Sequence, residues 1–241
     1  MKNEDAYLRI LKMRVNRENR DFRPFTNWDT KTKKSERLLK QINSKIKDKV
    51  ALKQSLIQFV ISDITAFEIY FKDLFDVSFE LSECEVEFLY NCEKLVDRRF
   101  VFRDLIDIKY HDIRLSDIIL EQQNFQNLGS INSVFSKVLQ INFFDSLKEY
   151  NANLDKDDED SLILDEDWYP KLEYYLNLRH ELTHDYNPKL KLTRKEIDNW
   201  HYNLVDFIIN VDDMFEEELE KSAKTIKSTR KCPIKNCVRI Q

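Results

Sequence analysis

Glycine occurs once in this chain, at Gly129. That scarcity constrains the fold more than any other feature. Tight β-hairpin turns and phosphate-cradling loops rely on positive φ angles, which glycine adopts without a steric penalty. Proline is also rare, with four among 241 residues, so few positions are barred from a helix interior. The sequence therefore predicts an all-α fold of long helices with few strands. A hydrophobic fraction of 42% supplies a sizeable core, and the length suits one domain with trimmings.

Apolar spacing of three and four residues locates the helices. A first helix is predicted over 35–46. A long one follows from about Asp48 to Phe79, with Leu52, Leu56, Phe59, Val60, Ile64, Phe67, Phe71, Leu74, Phe75 and Phe79 in a wide stripe. That width suggests a central, heavily buried helix. Further helices are predicted over 83–100, over 115–126 with Ser116 as N-cap, over 131–139 and over 143–150. Gly129, Ser130 and Asn132 read as a break between the second and third of this group, and 151–160 as a surface loop.

Two late helices are the clearest. One spans about 167–184, with Pro170 in its first turn, where a missing N–H removes no helical bond, and Asp165, Glu166 and Asp167 near the positive end of its dipole. The other spans about 193–223, where Thr193 and Glu196 have capping-box spacing. Its apolar face reads Ile197, Trp200, Leu204, Phe207, Ile208, Val211, Phe215 and Leu219. The short link between them predicts antiparallel packing.

Charge is unevenly spread. The net value of −5 argues mildly against nucleic acid as a partner. Yet residues 1–50 carry 15 Lys and Arg against 7 Asp and Glu, and residues 221–241 carry 7 Lys and Arg with no acid. The stretch 151–167 holds 8 acids and one lysine. Basic ends of this kind could meet phosphates or serve only as solvated tails. The organisation read from this is a basic amino-terminal arm over 1–34, a helical domain over 35–223 and a basic tail over 224–241.

Four cysteines, Cys84, Cys92, Cys232 and Cys237, form no CxxC pair, so their spacing does not match the common zinc knuckles. No uninterrupted apolar run reaches the roughly 18 residues of a membrane span. A soluble, cytoplasmic chain in a reducing compartment, with no membrane partner, is the expectation.

Chemistry concentrates in one segment, Asn177-Leu178-Arg179-His180-Glu181-Leu182-Thr183-His184-Asp185-Tyr186. It admits two motif readings. His180-Glu181-Leu182-Thr183-His184 is a literal H-E-x-x-H, in which imidazoles one turn apart could grip zinc while the glutamate activates water. A third ligand is then required, and Glu196 and Asp206 are the downstream candidates. Asp185 stands where zinc proteases of this type carry an uncharged residue, and the sheet edge that such enzymes use has no counterpart in the sequence.

The second reading pairs Arg179 with His184 as R-x4-H, a polar residue directly following the arginine. In this the chain resembles the HEPN superfamily, whose motif lies near the end of a late helix before a closing helix. The stretch from Phe59 to Leu74, an apolar run with Glu68 followed by Ile69 and Tyr70, resembles the early helix of the RiboL-PSP-type branch. Asn124-Phe125-Gln126-Asn127 followed by Ile131 fits that branch more loosely. The resemblance covers roughly residues 48–220. His180 departs from the asparagine more usual after the arginine.

That resemblance implies an up-down helical bundle with additional helices between its first and last helical pairs. It implies a homodimer whose two motifs meet in a composite cleft, and RNA cleavage without metal or other cofactor. Free-standing members of this size resemble toxins or phage-defence effectors, which implies an antitoxin or regulatory protein as a further partner. Other members only bind RNA or protein, so a non-catalytic helical module is the alternative.

The chemistry is coherent on its own terms. RNA carries its nucleophile, the 2′-OH. Cleavage needs a base, an acid for the leaving 5′-oxygen and a cation for the phosphorane. Histidine titrates near neutrality and arginine presents a fork of donors matched to phosphate. Residues five apart on an ideal helix diverge by roughly 140°, so Arg179 and His184 need a frayed last turn, a wrapped arginine or a partner protomer. Glu68 is a lone acid in an apolar helix stretch and wants a partner, for which Arg179 is the candidate. Otherwise Arg179 would pair with Glu173 or Glu181. His180 and Tyr186 are supporting candidates. His111 and His201 have no company in sequence, and His201 is expected only to flank the apolar face beside Trp200.

Overall fold

A computed structural model describes residues 10, 23–82, 86–96, 106, 108–154, 162–184 and 193–229. Among them every regular element is an α-helix. The first is α1 (Pro24–Lys45), which turns at 46–48 into the 34-residue α2 (Lys49–Ser82). The Asp48 carboxylate accepts the backbone N–H of Ala51 at 2.8 Å and so caps α2. A middle group follows: α3 (Val86–Glu93), α4 (Leu115–Gln122), α5 (Leu128–Leu139) and α6 (Phe143–Asn153). The late pair is α7 (Trp168–His184) and α8 (Arg194–Thr229).

The core is built around α2. Val60, Ile64, Phe67, Phe71 and Phe75 are fully buried. Ring contacts Phe59–His201, Phe67–Phe207 and Phe71–Phe207 set α8 against it, and Asn27 of α1 reaches Asp73 at 3.4 Å. The pairings Tyr175–Trp200 and Trp168–Phe207 advance in opposite directions along the chain, so α7 and α8 pack antiparallel, as their short link predicts. Thr193 and Glu196 form the expected capping box. The Thr193 N–H donates to the Glu196 carboxylate at 3.0 Å, and the Glu196 N–H donates to the Thr193 hydroxyl at 3.3 Å.

Several boundaries differ from the sequence reading. The first helix begins at Pro24 and not at residue 35, because Trp28 and Thr32 are buried under it, with Phe25 packed alongside. The segment 24–34 therefore belongs to the helical core. The helix expected over 83–100 is described only as α3 and ends in a turn at Lys94 and Leu95. Ser116 is not the N-cap of α4. Arg114 holds that place, and its N–H is taken by the Asp117 carboxylate at 3.0 Å. Gly129 and Ser130 do not break the chain. They form the first turn of α5, since Asn127 caps it by accepting the Ser130 N–H at 2.7 Å.

The middle group is tied down by side chains. Ser136 and Asn132 of α5 accept the Phe143 and Phe144 N–H groups at 2.9 and 3.0 Å, which caps α6 from outside. Asn151 brackets Leu164, accepting its N–H at 2.7 Å and donating to its carbonyl at 3.3 Å. The Arg114 guanidinium reaches back to Asp76 at 3.0 Å and Glu80 at 2.7 Å on α2.

By length and composition α2 would suffice to cross a membrane, with a mean hydropathy of 1.2 over its best window. Asp63 and Glu68 interrupt its apolar run, so no uninterrupted stretch of that length exists within it. Its central apolar residues, from Leu56 to Phe79, pack into the core formed with the other helices, as in the core helix of a globular fold. Cys92 is buried, which pushes its thiol up to about 12 and keeps it a packing residue.

Candidate active site at the meeting of α2 and α7

Arg179 lies in the last third of α7, with Leu178 and Leu182 buried on either side of it in sequence. Its guanidinium Nη1 donates to the Glu68 carboxylate of α2 at 2.8 Å. Neither Glu173 nor Glu181 is the partner. Glu68 is the acid that the sequence singled out for this pairing, 111 residues away along the chain.

Glu68 holds more than Arg179. Lys72, one turn further along α2, places Nζ 2.8 Å from the other carboxylate oxygen. The Gln126 amide, from the segment between α4 and α5, donates to the Arg179-bound oxygen at 3.3 Å. Burial pulls the Glu68 carboxyl up, but the hydrogen bonds and charges of Lys72 and then Arg179 outweigh it and hold the group below its ordinary value. The carboxylate stays ionised at neutral pH. Sequence reasoning missed Lys72 and Gln126. The i, i+4 spacing of Glu68 and Lys72 was the available signal.

His184 is the final residue of α7, five positions beyond Arg179. Its side chain and the whole of Tyr186 lie outside the described residues. The carboxyl end of a helix is a favourable place for a protonated imidazole. His180 is exposed on the same turn of helix as Thr183, whose hydroxyl donates to the carbonyls of Arg179 at 2.8 Å and His180 at 3.2 Å. Among the described residues no group of three His, Cys, Asp or Glu side chains is placed to hold a metal ion. Of the two downstream ligands the H-E-x-x-H reading would call on, Glu196 is spent in the capping box of α8. Asp206 is half-buried, and burial followed by the charge of Asp165 raises its carboxyl.

Comparisons with family models, curated proteins and solved structures return no match.

A second polar cluster lies deeper, and it corrects the reading of His201. That residue does not flank the apolar face. It is 3% exposed and sits between two carboxylates, with Nδ1 at 3.0 Å from Asp63 of α2 and Nε2 at 3.2 Å from Glu36 of α1. The Tyr175 hydroxyl of α7 donates to the same Asp63 oxygen at 2.8 Å. Burial by itself lowers the imidazole's pKa, but the hydrogen bond and charge of Asp63, then those of Glu36, lift it above its ordinary value. The signal was present in the sequence. Ile197, His201, Leu204 and Ile208 recur at helical spacing, so His201 stands inside the apolar stripe. This cluster joins four helices, with Asp63 and His201 buried at its centre and Glu36 at its solvent side. In the Glu68 site all three charged side chains are partly exposed.

Proposed function

We propose that this chain is a metal-independent endoribonuclease of HEPN type, with Arg179 and His184 as its catalytic residues. The observation that carries the reading is the seating of Arg179. A cation just upstream of a helix-terminal histidine is fixed by a carboxylate from the early helix, the pairing expected of a lone acid in an apolar stretch.

In this mechanism the RNA 2′-OH attacks the adjacent phosphorus and displaces the 5′-oxygen of the next nucleotide. His184 takes the hydroxyl proton or returns one to the leaving oxygen. Arg179 offers its remaining N–H donors to the phosphorane oxygens, where charge develops. Glu68 orients the guanidinium through Nη1, leaving the other donors for phosphate. His180 and Tyr186 would flank the bound strand. Residues five apart diverge on an ideal helix, and in this reading a second protomer completes the site, so that activity depends on dimerisation. A role as a toxin or defence effector held in check by a partner protein rests on the family resemblance alone.

The test is RNA cleavage in EDTA by wild type and His184→Ala. Cleavage by wild type alone, leaving a 2′,3′-cyclic phosphate, is expected. Cleavage retained in His184→Ala overturns the assignment. Binding without cleavage by either protein would replace it with a non-catalytic RNA-binding module. Stoichiometric zinc in an EDTA-sensitive enzyme would favour the His180–His184 metal reading.

A further inference from the structure

The carboxylate that seats Arg179 also seats a second cation, and the charge balance there is unusual. Lys72 and Arg179 come from different helices and occupy opposite oxygens of Glu68, each at 2.8 Å. Glu68 is ionised, so two positive charges share one negative charge. The acid is the more deeply placed group: its side chain is 13% exposed, against 26% for Lys72 and 23% for Arg179. Solvent therefore meets mainly cation at this point, with the carboxylate behind. An ammonium has three donors and a guanidinium five, and Glu68 takes one from each.

A neighbouring cluster on the same face of α2 has the opposite balance. Asp76, Glu80 and Asp117 gather around the guanidinium of Arg114, three acids on one cation among the described residues. That arrangement ties α4 to α2. The Glu68 cluster, by contrast, leaves net positive charge with donors to spare, which is what an anion site needs.

We propose that Lys72 and Arg179 form a paired-cation site for the backbone of single-stranded RNA, in which Lys72 binds a phosphate of the same strand that Arg179 engages. This deepens the ribonuclease reading and rests on it for the identity of the anion. Lysine acts as a point charge that positions the strand, while the arginine fork addresses the reacting phosphate. Lys72 is thus a binding residue whose loss raises KM more than it lowers kcat.

Affinity for a single-stranded RNA is measured against salt concentration in the His184→Ala background, with and without Lys72→Gln. Steady-state cleavage by the single Lys72→Gln variant is measured alongside. Each phosphate contact contributes about 0.7 to the slope of log K against log salt for single strands, so Lys72→Gln is expected to lower that slope by about 0.7. Lys72→Arg keeps the charge and is expected to restore the slope. Melting curves for both variants establish that each is folded. An unchanged slope in folded Lys72→Gln overturns the paired site, as does an absence of RNA binding by its parent. Wild-type cleavage with an unchanged slope sinks this proposal and leaves the nuclease reading standing. A lowered slope without any wild-type cleavage does the reverse.

Discussion

Replacing His201 with alanine is expected to destabilise the fold by about 3–5 kcal/mol, the range for removing one partner of a buried charged pair. The magnitude follows from what is left behind. The Asp63 side chain is fully buried, and its Oδ2 accepts from both His201 and Tyr175 while Oδ1 meets no hydrogen-bond partner among the described residues. Without the imidazole, one hydroxyl would have to compensate a buried carboxylate. Glu36 would lose its tie to α8 as well. For a chain of this size about 3–5 kcal/mol corresponds to a Tm drop of roughly 6–20 °C. The loss also has a pH signature. The folded-state pKa of His201 lies above its ordinary value, so the protonated ring stabilises the fold. That contribution is complete below about pH 6.5, the unfolded value, and is lost as pH rises through the folded value. Urea denaturation of wild type and His201→Ala at pH 5.5 and pH 9 should therefore give a larger difference at the lower pH. A difference below about 1 kcal/mol at pH 5.5, or one equal at both pH values, would refute the claim that a charged imidazole holds these helices together.

Two further substitutions probe the packing. Trp28→Ala should cost about 3–5 kcal/mol by urea denaturation, because the ring is buried beneath α1; a cost under about 1 kcal/mol would return residues 24–34 to a detachable arm. Asn151→Ala should lower stability by about 1–3 kcal/mol, since it removes both hydrogen bonds to Leu164. A thermal melt within 1 °C of wild type, on the order of measurement error, would mean that the bracket at Leu164 contributes nothing.

Much of the helical framework could be read directly from periodicity, because a stripe such as Leu56, Phe59, Val60, Ile64, Phe67, Phe71 and Leu74, spaced by three and four, falls on one side of a helix and on both faces of a strand. The α8 capping box was legible for a similar reason, being a local pattern with a local cause. The pairing of Glu68 with Arg179 was legible because an acid in an apolar run must find a cation, and Arg179 stands in an apolar-flanked stretch of a second core helix. What was not legible depended on contacts distant in sequence. Phe25 and Trp28 stand out as possible anchors in a polar stretch, but nothing near Pro24 announces that a helix begins there, and nothing near Asn127 tells a cap from a loop until α5 has docked. His201 was misread because a solitary histidine has no local signature of its partners. Asp63 and Glu36 lie 138 and 165 residues away from it.

The polar anchors of α2 also answer a question of alignment. Phe67, Phe71, Phe75 and Phe79 recur every four residues, so a neighbouring helix displaced by one turn would again find phenylalanine opposite it. Grease alone reads such a ruler poorly. Asp63, Glu68 and Tyr70 break the degeneracy: they reach Tyr175 and His201, Arg179, and Asp212 respectively. All three fall within eight residues, about 10 Å of helix axis. A one-turn slip would leave these groups facing hydrocarbon. The short polar stretch thus acts as the zero mark against which α7 and α8 are set, and the reach of Arg179 into its site is fixed by the same mark.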